Sequence, residues 1–168
     1  MHSPTRPCVG RESSRVAEPV PRVVFDTNVL ISALRARRRG LRTPPVECLD
    51  LAQHGAVELV TSPALTVELV RALSYAKLRV PLEEAHAFGA IVAASTGPGG
   101  LVHTAGRLNI LTRDPSDNLV LETALAGRAD YLVTGNLADF AELGSKGSPL
   151  SYRGVRVVTP REFLEALG

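Results

Sequence analysis

A three-layer α/β/α sandwich around a mostly parallel sheet is the fold that three observations predict. Short β-branched runs alternate with longer helical stretches in the rhythm of βαβ units. Three of the helices open on a capping residue followed by proline: Ser62-Pro63, Asp114-Pro115 and Thr159-Pro160, the last with Glu162 completing a capping box. The 168 residues fit one domain, and 45% hydrophobic residues are enough for a real core.

Residues 1–21 carry Pro4, Pro7, Pro19 and Pro21 among scattered Arg, Ser and Glu without an apolar period, and read as a disordered extension preceding a folded domain over 22–168. The pattern then predicts a strand over 22–26, helices over 28–36 and 44–54, and a strand over 57–61. Helices over 63–76 and 82–95 follow. Gly97-Pro98-Gly99-Gly100 reads as a loop leading to a weak strand near 101–103. A helix over 115–127, a strand over 131–134, a short helix near 137–143, a strand over 155–158 and a helix over 160–167 complete the chain. No internal repeat is visible, and right-handed crossovers place helices on both faces of the sheet.

Composition excludes several classes. A net charge of +2 and a pI near 8.8 are too mild to declare nucleic-acid binding by charge. Two cysteines, Cys8 and Cys48, provide neither a disulfide framework nor zinc spacing, so a reducing cytoplasm is expected. No stretch approaches the ~20 apolar residues of a membrane helix, and the N-terminus lacks the apolar core expected of a secretory signal. His2, His54, His86 and His103 show no metal spacing. Neither Gly-x-Gly-x-x-Gly after the first strand nor a P-loop occurs.

The chemistry lies in the acids. Asp26 ends the apolar run Val23-Val24-Phe25, at the edge where open α/β sheets bind ligands. Its structural alternative is an N-cap. Asp117 stands one turn before Leu121 on the stripe used by Ala124 and Leu125, so it points towards the sheet edge. Asp114 before Pro115 serves equally as a cap at a helix start. Glu68 flanks the stripe Leu65, Leu69, Ala72, Leu73 and Ala76, where it reaches a cleft or is simply solvated. Four converging carboxylates repel unless a cation neutralises them, and hard oxygen ligands select Mg²⁺ or Mn²⁺ over zinc. Metal-assisted phosphodiester hydrolysis is the chemistry this suggests.

The ordered set Asp-Thr-Asn-Val-Leu-Ile-Ser at 26–32, Glu-Leu at 68–69, Asp-Pro-Ser-Asp-Asn at 114–118 and Val-Thr-Gly-Asn at 133–136 resembles PIN-domain proteins. The likeness runs from about Val23 to Leu167. Within that family the chain looks most like the toxin components of bacterial toxin–antitoxin pairs, the VapC-like ribonucleases. The resemblance implies a Rossmann-like sheet whose acidic pocket binds Mg²⁺ or Mn²⁺ and cleaves single-stranded RNA. It carries the catalytic and metal-binding roles to Asp26, Glu68 and Asp117, with Asp114 close by. Asn136 stands where many relatives place a fourth acid, so it is a candidate oxygen ligand without charge, and Asp139 is the candidate replacement carboxylate.

Arg35, Arg37, Arg38, Arg39 and Arg42 crowd the end of the first helix, and Arg113 adjoins the acids. They are either solvated charge or a phosphate- or antitoxin-binding surface. Thr27, Asn28 and Thr134 are candidates for orienting Asp26 or waters. With so few aromatics a broad base-stacking platform is not expected. Apolar faces near 44–54 and 82–95 suit a homodimer or burial within the monomer. The expected function is a cytoplasmic, metal-dependent endoribonuclease of a toxin–antitoxin pair, with RNA as substrate and an antitoxin as partner. The alternative is a non-catalytic module that binds RNA or protein on the same scaffold. An aspartyl nucleophile at Asp26 would need a second acid two residues on, where Asn28 stands.

Overall fold

The computed structural model describes residues 19–75, 77–145 and 147–168. The predicted extension therefore lies outside the described residues as far as position 18, Cys8 and His2 included. The Pro21 carbonyl accepts a hydrogen bond from Glu58 N at 2.8 Å.

The chain runs β1 (Arg22–Phe25), α1 (Thr27–Arg38), α2 (Pro44–Gln53), β2 (Glu58–Thr61), α3 (Pro63–Leu73) and α4 (Leu82–Ala94). It continues through β3 (Thr96–Leu101), α5 (Asp117–Ala126), β4 (Tyr131–Val133), a 3-10 helix (Leu137–Leu143), β5 (Ser151–Tyr152), β6 (Val155–Val158) and α6 (Pro160–Leu167). The six strands lie in the order β3-β2-β1-β4-β6-β5, with β5 alone antiparallel to its neighbour. Strand order reverses at β1, because the chain builds outward through β2 and β3 and then returns to β1's other side with β4. In an open α/β sheet such a switch point leaves a crevice at the carboxyl ends of the two strands.

The layers follow from period-2 alternation along the strands. Val23, Phe25, Leu59, Tyr131 and Val133 pack into one core with residues of α1, α2, α4 and α6. Val24, Val60, Leu132, Val155 and Val157 pack on the opposite face with α5 and Phe140 of the 3-10 helix. Helix α3 joins both, Leu65 entering the second core and Leu69 and Leu73 the first. Cys48 is fully buried, and burial pushes its thiol up to about 12, which leaves it an inert core residue. Both apolar faces considered for a homodimer are used inside the monomer, α2 through Val46, Cys48, Leu49 and Ala52 and α4 through Ala85, Phe88 and Val92.

Two of the three expected helix starts are built as the sequence implies. Ser62 Oγ accepts from Leu65 N at 3.2 Å, and Thr159 with Glu162 forms the reciprocal capping box. The third differs: α5 begins at Asp117, not at Pro115. Asp114 Oδ1 accepts from Ser116 N at 3.0 Å and Ser116 Oγ at 2.6 Å, so the acid closes a turn that delivers Asp117 to the helix start. The glycine-rich segment also differs from expectation, because it is itself the edge strand β3. A Cβ at Gly100 would stand 2.3 Å from the Leu59 carbonyl oxygen, so only glycine permits the close approach to β2. The arginine clamp below it, with Arg22 donating to Glu58 at 2.7 Å and to the Gly99 carbonyl at 3.1 Å, pins the same edge.

The β5–β6 hairpin was not anticipated from sequence. Its two-residue turn places Arg153 at φ 48° and Gly154 at φ 89°, left-handed at both positions, where Asn-Gly is the familiar signal. Arginine at the first position hides the turn. Replacing Arg153 by Asn should raise stability by about 0.5 kcal/mol, read as a higher urea midpoint at unchanged slope. A lower midpoint would refute this reading of the turn.

Candidate functional site

The crevice at the switch point is floored by a hydrogen-bonded frame from two chain segments, 26–28 and 134–136. Asp26, at the end of β1, occupies the N-cap position of α1 but makes no side-chain capping bond. Its Oδ2 instead accepts from Thr134 Oγ1 at 2.7 Å and from Asn28 Nδ2 at 2.8 Å. Asn28 Oδ1 in turn accepts from Gly135 N at 2.9 Å, and Thr134 Oγ1 from Asn136 N at 3.1 Å. The β1 and β4 ends are thus laced together. Because Oδ2 is held by two donors, the carboxylate's orientation is fixed before any ligand arrives.

Thr134→Val keeps the shape of the frame but removes the hydroxyl. Lost orientation of a ligating carboxylate should lower Mn²⁺ affinity by about 10–100-fold in calorimetry, with Thr134→Ser close to the parent. Unchanged affinity in the valine variant would remove the threonine from any role in orienting a metal ligand.

Asp117, at the first turn of α5, is buried, and its Oδ2 has no hydrogen-bond partner among the described residues. A buried, unpartnered carboxylate oxygen is costly, and its carboxyl is accordingly pushed up to about 7 by burial and then by the negative charges of Asp26, Asp114, Asp139 and Glu68. Burial also raises Asp26, against the lowering effect of the Thr134 hydrogen bond. Glu68 on α3 is half-buried rather than freely solvated, and is raised by burial and by Asp26 and Asp114. Asp114 is exposed at the rim and lowered by its hydrogen bonds from Ser116. Asp117 therefore feels four other acids across the crevice, Asp26, Asp114, Glu68 and Asp139.

Asn136, the expected oxygen ligand, has both ends of its amide engaged. Its Oδ1 accepts from Ala138 N at 3.3 Å as cap of the 3-10 helix, and its Nδ2 donates to Asp139 Oδ2 at 2.7 Å. The amide orients Asp139, and the negative charge arrives from one turn further on.

The arginines near the end of α1 do not reach this crevice. They start nine residues beyond Asp26, roughly 13 Å along the helix at its normal rise. Arg37 pairs with Asp50 at 2.6 Å, Arg38 with Glu84 at 3.3 Å and Arg42 with Glu47 at 3.6 Å. Solvated ion pairs account for these three. Arg113 turns its guanidinium to the Ala138 carbonyl at 3.3 Å. Sequence reasoning missed two anchors of the loop that carries Asp114. Asn118 Oδ1 accepts from Ile110 N and Leu111 N, both at 2.9 Å, and Glu142 accepts from Thr112 N at 3.1 Å and Arg113 N at 3.0 Å. Asn118 within Asp-Pro-Ser-Asp-Asn was the available signal. Glu142 had none.

Among the described residues no three Asp, Glu, His or Cys side chains are gathered tightly enough to form a ready-made metal cage. Mg²⁺ rarely uses one. It keeps several waters and takes one or two carboxylates together with substrate phosphates, which an open acidic crevice with an orphaned carboxylate oxygen suits.

Residues 22–138, more than half of the chain, match the family described as the PIN domain. The chain belongs to the PIN-domain family. The match spans β1 to the 3-10 helix, and so takes in every acid of the crevice except Asp139, which follows its last residue. No curated protein and no solved structure is significantly similar to this PIN domain. The family is of nuclease type and typically uses divalent metals. No helix among the described residues is long and apolar enough to cross a membrane.

Proposed function

We propose that this PIN domain is a metal-dependent endoribonuclease that cleaves single-stranded RNA in the cytoplasm, as the toxin of a toxin–antitoxin pair. The observation that carries the catalytic part is Asp117 Oδ2, buried and unpartnered among acids at the switch point. Asp26, Glu68 and Asp117 would hold Mg²⁺ or Mn²⁺, with Asp139 and Asp114 at the margin. Such an ion supplies an activated water and neutralises charge on the phosphodiester. The chain's own work is positional. Thr134 and Asn28 fix the plane of the Asp26 carboxylate, the Asp114 turn sets Asp117, and Asn136 sets Asp139. The raised Asp117 carboxyl must lose its proton before it can ligate, so metal binding should release protons near neutral pH.

The toxin reading rests on the sequence likeness to VapC-like proteins and on nothing in the geometry. A small antitoxin that suppresses cleavage is the partner it calls for. A homodimer would have the exposed Leu82 and Ile91 of α4 available, at 59% and 45% exposure. The alternative of a non-catalytic RNA- or protein-binding module draws on Asn136, whose amide brings no charge to a position where many relatives carry an acid.

Labelled single-stranded RNA incubated with Mn²⁺ or Mg²⁺, with and without EDTA, tests the central claim. Cleavage that EDTA abolishes supports it. Intact RNA across several sequences, together with no Mn²⁺ binding by calorimetry, would leave only the binding module.

A further inference from the structure

A cleft of ≈ 570 Å³ opens directly from the acid cluster between α3 and the start of α5. Glu68 and Ser116 stand at its inner end, and Arg71, Ala72 and Tyr75 continue the α3 wall, with Leu119 opposite. Their spacing puts one side chain of this wall on each successive turn, so the groove runs about 10 Å from Glu68 along α3 to Tyr75 in the turn just past its end.

Its chemistry changes along that length. At the inner end the charge is negative. One turn on, Arg71 is exposed, and its guanidinium makes no ion pair or hydrogen bond among the described residues. It is therefore unlike Arg37, Arg38 and Arg42, which acids of α2 and α4 already engage. A further turn on, Tyr75 is 56% exposed and lines the cleft. An acidic reaction centre, a free guanidinium and an open aromatic face, in that order, match a polyanion whose repeating unit carries one phosphate and one flat base. A peptide would not need the cation and the ring at that spacing.

We propose that this cleft is the subsite for the nucleotide adjoining the scissile phosphate, with Arg71 holding the flanking phosphate and Tyr75 stacking its base. The inference rests on the ribonuclease reading above and assigns binding outside the metal centre. Phosphate contact by Arg71 is blind to sequence, and stacking on one ring is tolerant of it, so the subsite confers a preference for unpaired nucleotides rather than a base code. A duplex cannot present a splayed base to Tyr75.

The test uses the whole chain and RNA oligonucleotides in which a single abasic nucleotide is moved past the cleavage site. Tyr75→Ala should raise KM about tenfold with kcat little changed, Arg71→Ala should act in the same direction, and Tyr75→Phe should behave as the parent. One abasic position should cost the parent a similar factor and cost Tyr75→Ala nothing further. Metal-free binding of the same RNA, followed by fluorescence anisotropy, should weaken in parallel.

A parent that cleaves, with KM unmoved by either substitution, overturns the subsite while the nuclease reading stands. Independent, multiplying effects of Tyr75→Ala and the abasic nucleotide overturn it as well. A fall in sedimentation mass for these variants with unchanged KM would make the surface a protein interface instead, and so also refutes the proposal. A parent that neither cleaves nor binds RNA and takes up no Mn²⁺ fails the underlying reading, and the subsite falls with it.

Discussion

Asp117→Asn is expected to abolish metal-dependent RNA cleavage, by about a thousandfold or more, and Asp26→Asn to do the same. The size follows from the several kcal/mol of charge stabilisation that a bound divalent ion gives a phosphodiester, at about 1.4 kcal/mol for each factor of ten. Both carboxylates sit at the switch point, and both are held by their surroundings rather than free to be replaced by a neighbour. Asp26 is clamped by Thr134 and Asn28, and Asp117 is buried at the first turn of α5. Asp114→Asn should cost far less, since that acid is exposed and spends its Oδ1 on Ser116. Cleavage rates at saturating Mn²⁺ separate the cases. Retention of near-parental rates in Asp117→Asn would end the proposal that the orphaned oxygen is a ligand.

The second large effect concerns stability and pH, and its sign is opposite to that of an ordinary salt-bridged carboxylate. Asp117 rises from 3.8 to about 7 in the folded protein, so between those values the native state binds more protons than the unfolded chain. Stability then falls as pH rises through that window. Asp26 and Glu68 are raised as well and add to the same slope. The protons belong to the group of acids as a whole, so the loss is read for the cluster, and its scale is a few kcal/mol.

In EDTA the parent should therefore melt at a lower temperature at pH 8 than at pH 5. Asp117→Asn should be the more stable protein at pH 8 and show a shallower slope. Adding Mn²⁺ should restore the parent, by about 2.7 kcal/mol at a hundred times its dissociation constant, and should do little for the variant. Thermal melts at four pH values, with and without metal, would show it. A variant with the parental slope would mean that Asp117 does not carry the mutual repulsion.

A site that is more stable when its working acid is removed is the mark of groups retained for chemistry rather than for folding. The arrangement also explains why Thr134 and Asn28 carry so many hydrogen bonds. They hold in place a carboxylate that its charged neighbours repel.

Much of this was legible in the order of residues. Val23-Val24-Phe25 before Asp26 set a buried strand against a helix start, and Ser62-Pro63 and Thr159-Pro160 placed the starts of α3 and α6 to the residue, because capping and proline geometry are local properties. Asp117's inward face followed from helical period alone. Other features needed partners distant in sequence. Gly97-Pro98-Gly99-Gly100 reads as a loop until the Leu59 carbonyl lies against Gly100 and makes glycine the only residue a paired strand admits there. Glu68 is an ordinary surface glutamate until α3 brings it within the field of Asp26 and Asp114, more than forty residues away on either side.

The alternation of strands and helices, most helix starts, and the acids at strand and helix ends are readable from residue order, since each depends on neighbours within a turn or two. It took packing in three dimensions to bring β1 and β4 together at a switch point, to set Asp117 in the field of four other acids, and to leave the arginines of α1 elsewhere while Arg71 lines the cleft. Distance through space fixes charge, burial and access, and the chain's linear order carries no direct measure of it.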